Sequence, residues 1–286
     1  MPTLLDWFPY SLIATLSFGV AMAMYKFPAA KQLDRYAATF WSLAASTCIA
    51  LVVFSSAIPR IAWNMNGIAA LWGISFTGIM LLQMYALHHM ETNVLFPTTT
   101  TSSLVLTVLI GLLAFQDPIT MLQSGGIIIV VIAVAAFLFR GGRLAYAPHI
   151  LVVGIGIIAL SVFNKLLQKI AADRYDVRAY QIVQYAYAAG VALLVLIMAH
   201  RTRWHTALFG RGAGIGVLIG AVSFAGGAAF FTALTRGPFT LITTIHSLYT
   251  FATAITAWLL FRERLTKRRL VLIALAALGA ILIRIG

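Results

Sequence analysis

The chain has 286 residues, 62% of them hydrophobic and only 9% charged, and its mean hydropathy is +0.96. Soluble domains carry nearer ~25% charged residues, so this composition excludes an ordinary soluble domain and indicates an all-α protein that crosses a membrane many times. The net charge of +13 would suggest nucleic acid in a soluble protein, but the basic residues fall mostly between the apolar runs and read as orientation signals and headgroup contacts, so the expected partners are the lipid bilayer and a small molecule, not nucleic acid.

In chain order, the pattern predicts about ten spans. No Lys or Arg precedes Lys26, so the first apolar run, about Pro9 to Tyr25, reads as a retained span rather than a leader. The second runs from about Ala37 to Phe54 and the third from about Ile68 to Leu87. The fourth, about Val94 to Phe115, contains Pro97 followed by Thr98, Thr99, Thr100, Thr101, Ser102 and Ser103. The fifth runs from about Thr120 to Phe139. A glycine- and proline-marked link, Arg140 to Pro148, precedes the sixth, Ile150 to about Ala171. The remaining spans are about Ala179 to Ala199, Gly212 to Leu234, Leu241 to Phe261 and Leu270 to Ile285. The lone Cys48 rules out an intrachain disulfide or a cysteine-rich metal site, and no cofactor or metal is expected.

An internal repeat organises these spans. Phe115-Gln-Asp-Pro-Ile-Thr120 joins the fourth to the fifth, and Phe261-Arg-Glu-Arg-Leu-Thr266 joins the ninth to the tenth. The two match at phenylalanine, acid, aliphatic and threonine. Residues 1–140 then form one unit and residues 149–286 a second. An odd number of spans per unit forces the second copy into the membrane upside down, with a site expected at the interface near midplane.

At these residues the chain resembles the EamA-type permeases of the drug/metabolite transporter superfamily. The clearest pieces are Glu263-Arg-Leu-Thr266 followed by Gly279, and Asp117-Pro-Ile-Thr120 followed by Gly125. The family pattern carries glycine just before the acid, where this chain has Gln116 and Arg262. The resemblance implies ten spans in two inverted five-helix repeats, and a secondary transporter of amino acids or related compounds, often exporting. A prokaryotic plasma or inner membrane is the expected location.

Candidate site residues follow from polarity inside the spans. Ser161, Asn164, Lys165 and Gln168 share one stripe of the sixth helix. Two readings of Lys165 are open: the helix ends early and the side chain snorkels, or the ammonium faces a cavity and attracts a carboxylate or phosphate. Aligning the two hairpins sets Thr98 opposite Thr244, Thr100 opposite His246 and Ser103 opposite Tyr249, so both copies are polar at one depth. The expected substrate-binding set is Lys165, Asn164, Ser161, Thr98, Thr101, His246 and Tyr249. In the seventh span Gln181, Gln184 and Tyr185 share a face, open between interfacial anchoring and substrate contact.

Absences narrow the chemistry. The seven acids are Asp6, Asp34, Glu91, Asp117, Asp173, Asp176 and Glu263, all near predicted helix ends or in loops. No carboxylate remains at mid-membrane to bind an organic cation or relay protons. No phosphate-cradling glycine loop is present. Two alternatives to a permease stay open: a membrane enzyme acting on lipid or lipid-linked groups, and a channel or scramblase-like conduit. Lys and Arg number 13 on the side of the loops after odd-numbered spans against 6 on the other, which places the termini outside.

Overall fold

The computed structural model describes residues 7–89, 92–138, 148–262 and 266–286. Asp6, Glu91, the link 139–147 and the Glu263-Arg264-Leu265 part of the second hairpin lie outside the described residues. Among the described residues every regular element is helical: α1 (Phe8–Met24), α2 (Lys26–Ala30), α3 (Arg35–Val53), α4 (Met65–Ala86), α5 (Thr92–Leu113), α6 (Met121–Leu138), α7 (Pro148–Arg174), α8 (Val177–His200), α9 (Trp204–Leu208), α10 (Gly212–Leu234), α11 (Phe239–Ser247), α12 (Tyr249–Phe261) and α13 (Lys267–Ile285).

Among the described residues, eight helical stretches are long and apolar enough to cross a membrane, and Met121–Ala136 is a shorter apolar one. The molecule is thus an all-α, multi-pass membrane protein. Ten spans were expected. Of the two not among the eight, α6 is the shorter apolar helix, and α13 opens with Lys267, Arg268 and Arg269 before its apolar run. Two boundaries also differ. The sixth predicted span continues to Arg174, and the ninth is broken into α11 and α12 at Leu248.

Local sequence explains where the helices begin. Asp34 accepts hydrogen bonds from the amides of Tyr36 and Ala37 (2.8 and 2.9 Å) and starts α3. Asp176 does the same for α8 through Arg178 and Ala179 (2.9 and 3.2 Å). Each carboxylate satisfies amides that have no partner in the first turn and favours the positive end of the helix dipole. The hairpin motif resolves into the same kind of device. Thr120 and Gln123 exchange backbone-to-side-chain bonds (3.0 and 3.2 Å), a capping box that opens α6. Thr266 caps α13 by accepting from Arg269 N. Asp117 reaches across the molecule: its Oδ2 accepts from Thr240 N at 2.6 Å, in the first turn of α11. Gln116 and Arg262 have φ of 50° and 55°, the left-handed region that glycine enters without penalty.

Lipid offers helices no hydrophobic reason to associate, so close packing must hold them together. α3 lies along α10 and α4 along α8; α1 packs on α10 and α12, and α7 on α4 and α5; α6 pairs with α13, α3 with α8, and α5 with α11. Gly212, Gly216 and Gly220 press against the α3 backbone at Asp34, Ala38 and Ser42, where a Cβ would collide with a carbonyl oxygen. Ser46 Oγ donates to Gly220 O across the same contact (2.9 Å). On the α6–α13 contact, a Cβ on Gly126 would meet Gly279 O at 2.7 Å, and one on Gly279 would meet Gly126 O at 2.9 Å. Two polar side-chain contacts among the described residues tie α3 and α8 at opposite ends. Arg60, after α3, meets Asp176 at 2.7 Å. His200, the last residue of α8, brings Nε2 within 2.6 Å of Asp34 Oδ2.

Candidate functional site

A cavity of about 80 Å³ lies among α1, α4, α5, α7, α10 and the α11–α12 break. At roughly 10–15 Å³ for each water's centre, it has room for about half a dozen water-sized groups, so the site is small. Its polar lining is Gln83, Ser103, Ser161, Asn164, Lys165, Gln168, His246 and Tyr249; its apolar lining includes Phe18, Phe76 and Phe230.

α7 supplies the stripe Ser161, Asn164, Lys165 and Gln168, as the spacing required. The helix does not end early: it runs on to Arg174, roughly 14 Å beyond Lys165. Lys165 is 9% exposed, and its Nζ is buried without a hydrogen-bond partner among the described residues. It does not snorkel. The acid nearest along its helix, Asp173, is engaged by Lys169 at 2.6 Å. Asn164 is less free than its neighbour, because its Nδ2 donates to Ser75 Oγ (2.9 Å) and Trp72 O (3.3 Å). That bond fixes α7 on α4 and sets the direction in which Lys165 points.

The broken span supplies the opposite wall. His246 is the next-to-last residue of α11 and Tyr249 the first of α12, on either side of Leu248. His246 sits among the rings of Phe18 (5.0 Å), Phe230 (4.7 Å) and Tyr249 (5.3 Å), and its Nδ1 has no partner among the described residues. Tyr249 OH accepts from Thr100 Oγ1 at 2.7 Å, which ties the break to α5. Thr15 ties it to α1 by donating to Ile245 O at 3.0 Å.

Five of the seven expected residues therefore share the cavity: Ser161, Asn164, Lys165, His246 and Tyr249. Thr98 and Thr101 are not among its lining residues. The Thr101 hydroxyl donates to Pro97 O within α5 (2.7 Å), the ordinary use of threonine in a membrane helix, and the α5 contribution comes from Ser103 instead. Sequence reasoning passed over Gln83, whose buried Oε1 has no partner among the described residues. Its signal was present: it is the one amide in the apolar run from Ile68 to Leu87. Gln181 and Gln184 are buried (1% and 0% exposed) but stand outside this cavity, so neither is an interfacial anchor.

These features define a polytopic membrane protein whose bundle holds a small cavity with one buried lysine and no acid among its lining residues. Residues 149–285 match the EamA-like transporter family, so the second half of the chain is an EamA domain, of the drug/metabolite transporter superfamily. That family comprises transporters rather than enzymes. No curated protein sequence matches the chain significantly. Among solved structures, one described only as "Crystal structure of protein" superposes with a TM-score of 0.69 at 14% identity, over 96% of this chain and 96% of that one. At that identity the likeness is one of fold.

Proposed function

We propose that the protein is a secondary transporter of a small carboxylate-bearing metabolite, an amino acid or a close relative, working by alternating access between two inverted five-helix repeats and exporting its substrate. The observation that carries this reading is Lys165 Nζ, buried at the cavity wall without a hydrogen-bond partner among the described residues. Such an ammonium is costly in a membrane unless water, a carbonyl or a substrate anion meets it. The unpartnered lining atoms form a matched set. Lys165 Nζ suits a carboxylate, Gln83 Oε1 can accept from an α-ammonium, and the rings of Phe18, Phe76 and Phe230 suit an apolar side chain.

The packing order supports the inverted repeat. Numbering the ten helical units in order, two packs on eight and three on seven; one packs on eight and six on three; five packs on ten. Each pair maps onto itself or another pair when the halves are exchanged. The caps follow suit, with Asp34 and Asp176 opening units two and seven, and Thr120 and Thr266 opening five and ten. The helix break at the cavity fits a site held by a discontinuous span.

The test is counterflow in proteoliposomes against a panel of amino acids, their decarboxylated amines and their deaminated acids. Saturable exchange of carboxylate-bearing compounds, with none for the amines, is expected. Non-saturable flux would indicate a conduit, and chemical conversion of a compound an enzyme.

A further inference from the structure

A second cavity, of about 410 Å³, opens between α1, α12 and α13, on the far side of the α11–α12 break from the polar site. Leu12 and Leu16 of α1, Ile255 of α12 and Ile273 and Ala277 of α13 are among its walls, and Arg284 is its one charged lining residue. Its single hydroxyl, on Thr15, is already spent on Ser11 O (2.7 Å) and Ile245 O (3.0 Å). Apart from Arg284 at its end, the side chains of the lining offer no further hydrogen bond, so what fills its length must be hydrocarbon.

The length and the charge identify the hydrocarbon. From Arg284 to Ile273 along α13 is roughly 16 Å, close to half of the ~30 Å hydrocarbon core. The crevice therefore reaches from the headgroup level to the midplane, the depth of one leaflet. Arg284 stands at its outer end with its guanidinium over the Phe8 ring at 5.2 Å. No carboxylate among the described residues pairs with it. A cation–π contact with a ring consumes none of the guanidinium's N–H donors and leaves them for a phosphate. Arg236 lies over Tyr10 (4.6 Å), two residues along α1 from Phe8, so a second guanidinium stands at this end. We infer that this crevice is a binding site for one acyl chain of an anionic phospholipid, with Arg284 holding the headgroup phosphate. Leu248, the residue at the helix break, is among the crevice walls, so the bound chain packs directly against the element that carries His246 and Tyr249.

The inference does not depend on what is transported. Its test is native mass spectrometry of the full chain released from vesicles of equal phosphatidylcholine and phosphatidylglycerol. One retained phosphatidylglycerol is expected, favoured roughly fivefold over phosphatidylcholine, as a single basic contact near the surface provides. Arg284→Gln should abolish the preference while a lipid is still retained. Ala277→Phe, at an exposed wall position, should fill the crevice and reduce retention of both lipids without unfolding the bundle. Equal retention of the two lipids by the unaltered chain would overturn the headgroup assignment. Undiminished retention in Ala277→Phe would place the lipid elsewhere and overturn the site.

Discussion

Lys165 and Asn164 are adjacent, yet their environments divide their roles. Asn164 is spent on the α4 backbone and Ser75, whereas Lys165 Nζ has no partner among the described residues. Lys165→Met is expected to weaken binding of a carboxylate-bearing substrate at least tenfold, about 1.4 kcal/mol, while the purified protein stays monodisperse. Unchanged affinity by calorimetry would remove the lysine from the site. Gln83→Leu separates the two ends of the substrate. It should impair amino acids more than the corresponding deaminated acids in the counterflow assay, and equal losses would show that Gln83 does not meet the ammonium. At the surface, burial pushes the Asp176 carboxyl pKa up, but the Arg60 hydrogen bond, the amides of Ala179 and Arg178 and the Arg60 charge outweigh it and hold the pKa below its usual value. The charged form therefore favours the fold. That contribution is complete above the unfolded aspartate value of about 3.9 and is lost as pH falls through the lower folded value. Asp176→Asn should flatten the acid limb of a thermal-stability profile below about pH 4, and an unaltered limb would show that the pair contributes nothing.

At the scale of helices, the hairpin motif that recurs at 115–120 and 261–266 is explained, over its described residues, by end chemistry. Its threonines cap α6 and α13, Asp117 serves the start of α11, and the residues before the acids turn through positive φ. Gln116 and Arg262 occupy that turn where glycine would relieve a Cβ–carbonyl clash. Gln116→Gly is expected to raise stability by no more than about 1 kcal/mol, read as a higher melting temperature in detergent; a lower one would mean that the glutamine side chain compensates. The glycines within helices act by close approach instead. At Gly220 the obstructing atom is the Ser42 carbonyl oxygen, backbone that cannot rotate away. Gly220→Leu should force α10 from α3 and destabilise the bundle by about 1–3 kcal/mol or more, whereas Gly214→Leu, where a Cβ meets nothing, should be neutral.

For the whole molecule, two polar side-chain contacts among the described residues tie α3 to α8 at opposite ends. In the proposed alternating-access cycle, Arg60–Asp176 at one end and His200–Asp34 at the other would serve as gates. Releasing one end should bias the protein toward opening there. In a Cys48-free background, cysteine at Ser161 should gain reactivity toward a membrane-impermeant thiol reagent from the Arg60 end in Arg60→Ala, and from the opposite end in His200→Ala. The same side gaining in both variants would show that these pairs are not gates.

Hydropathy, helix period and end chemistry are local properties, and they were legible without the fold. They yielded the all-α membrane class, most helix boundaries within a few residues, the stripe on α7 and the polar pair His246 and Tyr249 that lines the same cavity. The sequence could not say which face of α5 turns inward. Threonine bonds its own helix as readily as a cavity, so Thr98 and Thr101 looked as suitable as Ser103. Nor could it locate the break at Leu248, where no proline or glycine stands and tertiary contacts from Thr15 and Thr100 hold the two pieces. Whether Lys165 snorkels or turns inward was likewise undecided by sequence, because both outcomes are compatible with one lysine on an apolar helix. Tertiary packing decided it, by extending α7 to Arg174 and anchoring Asn164 on α4 so that its neighbour points into the bundle.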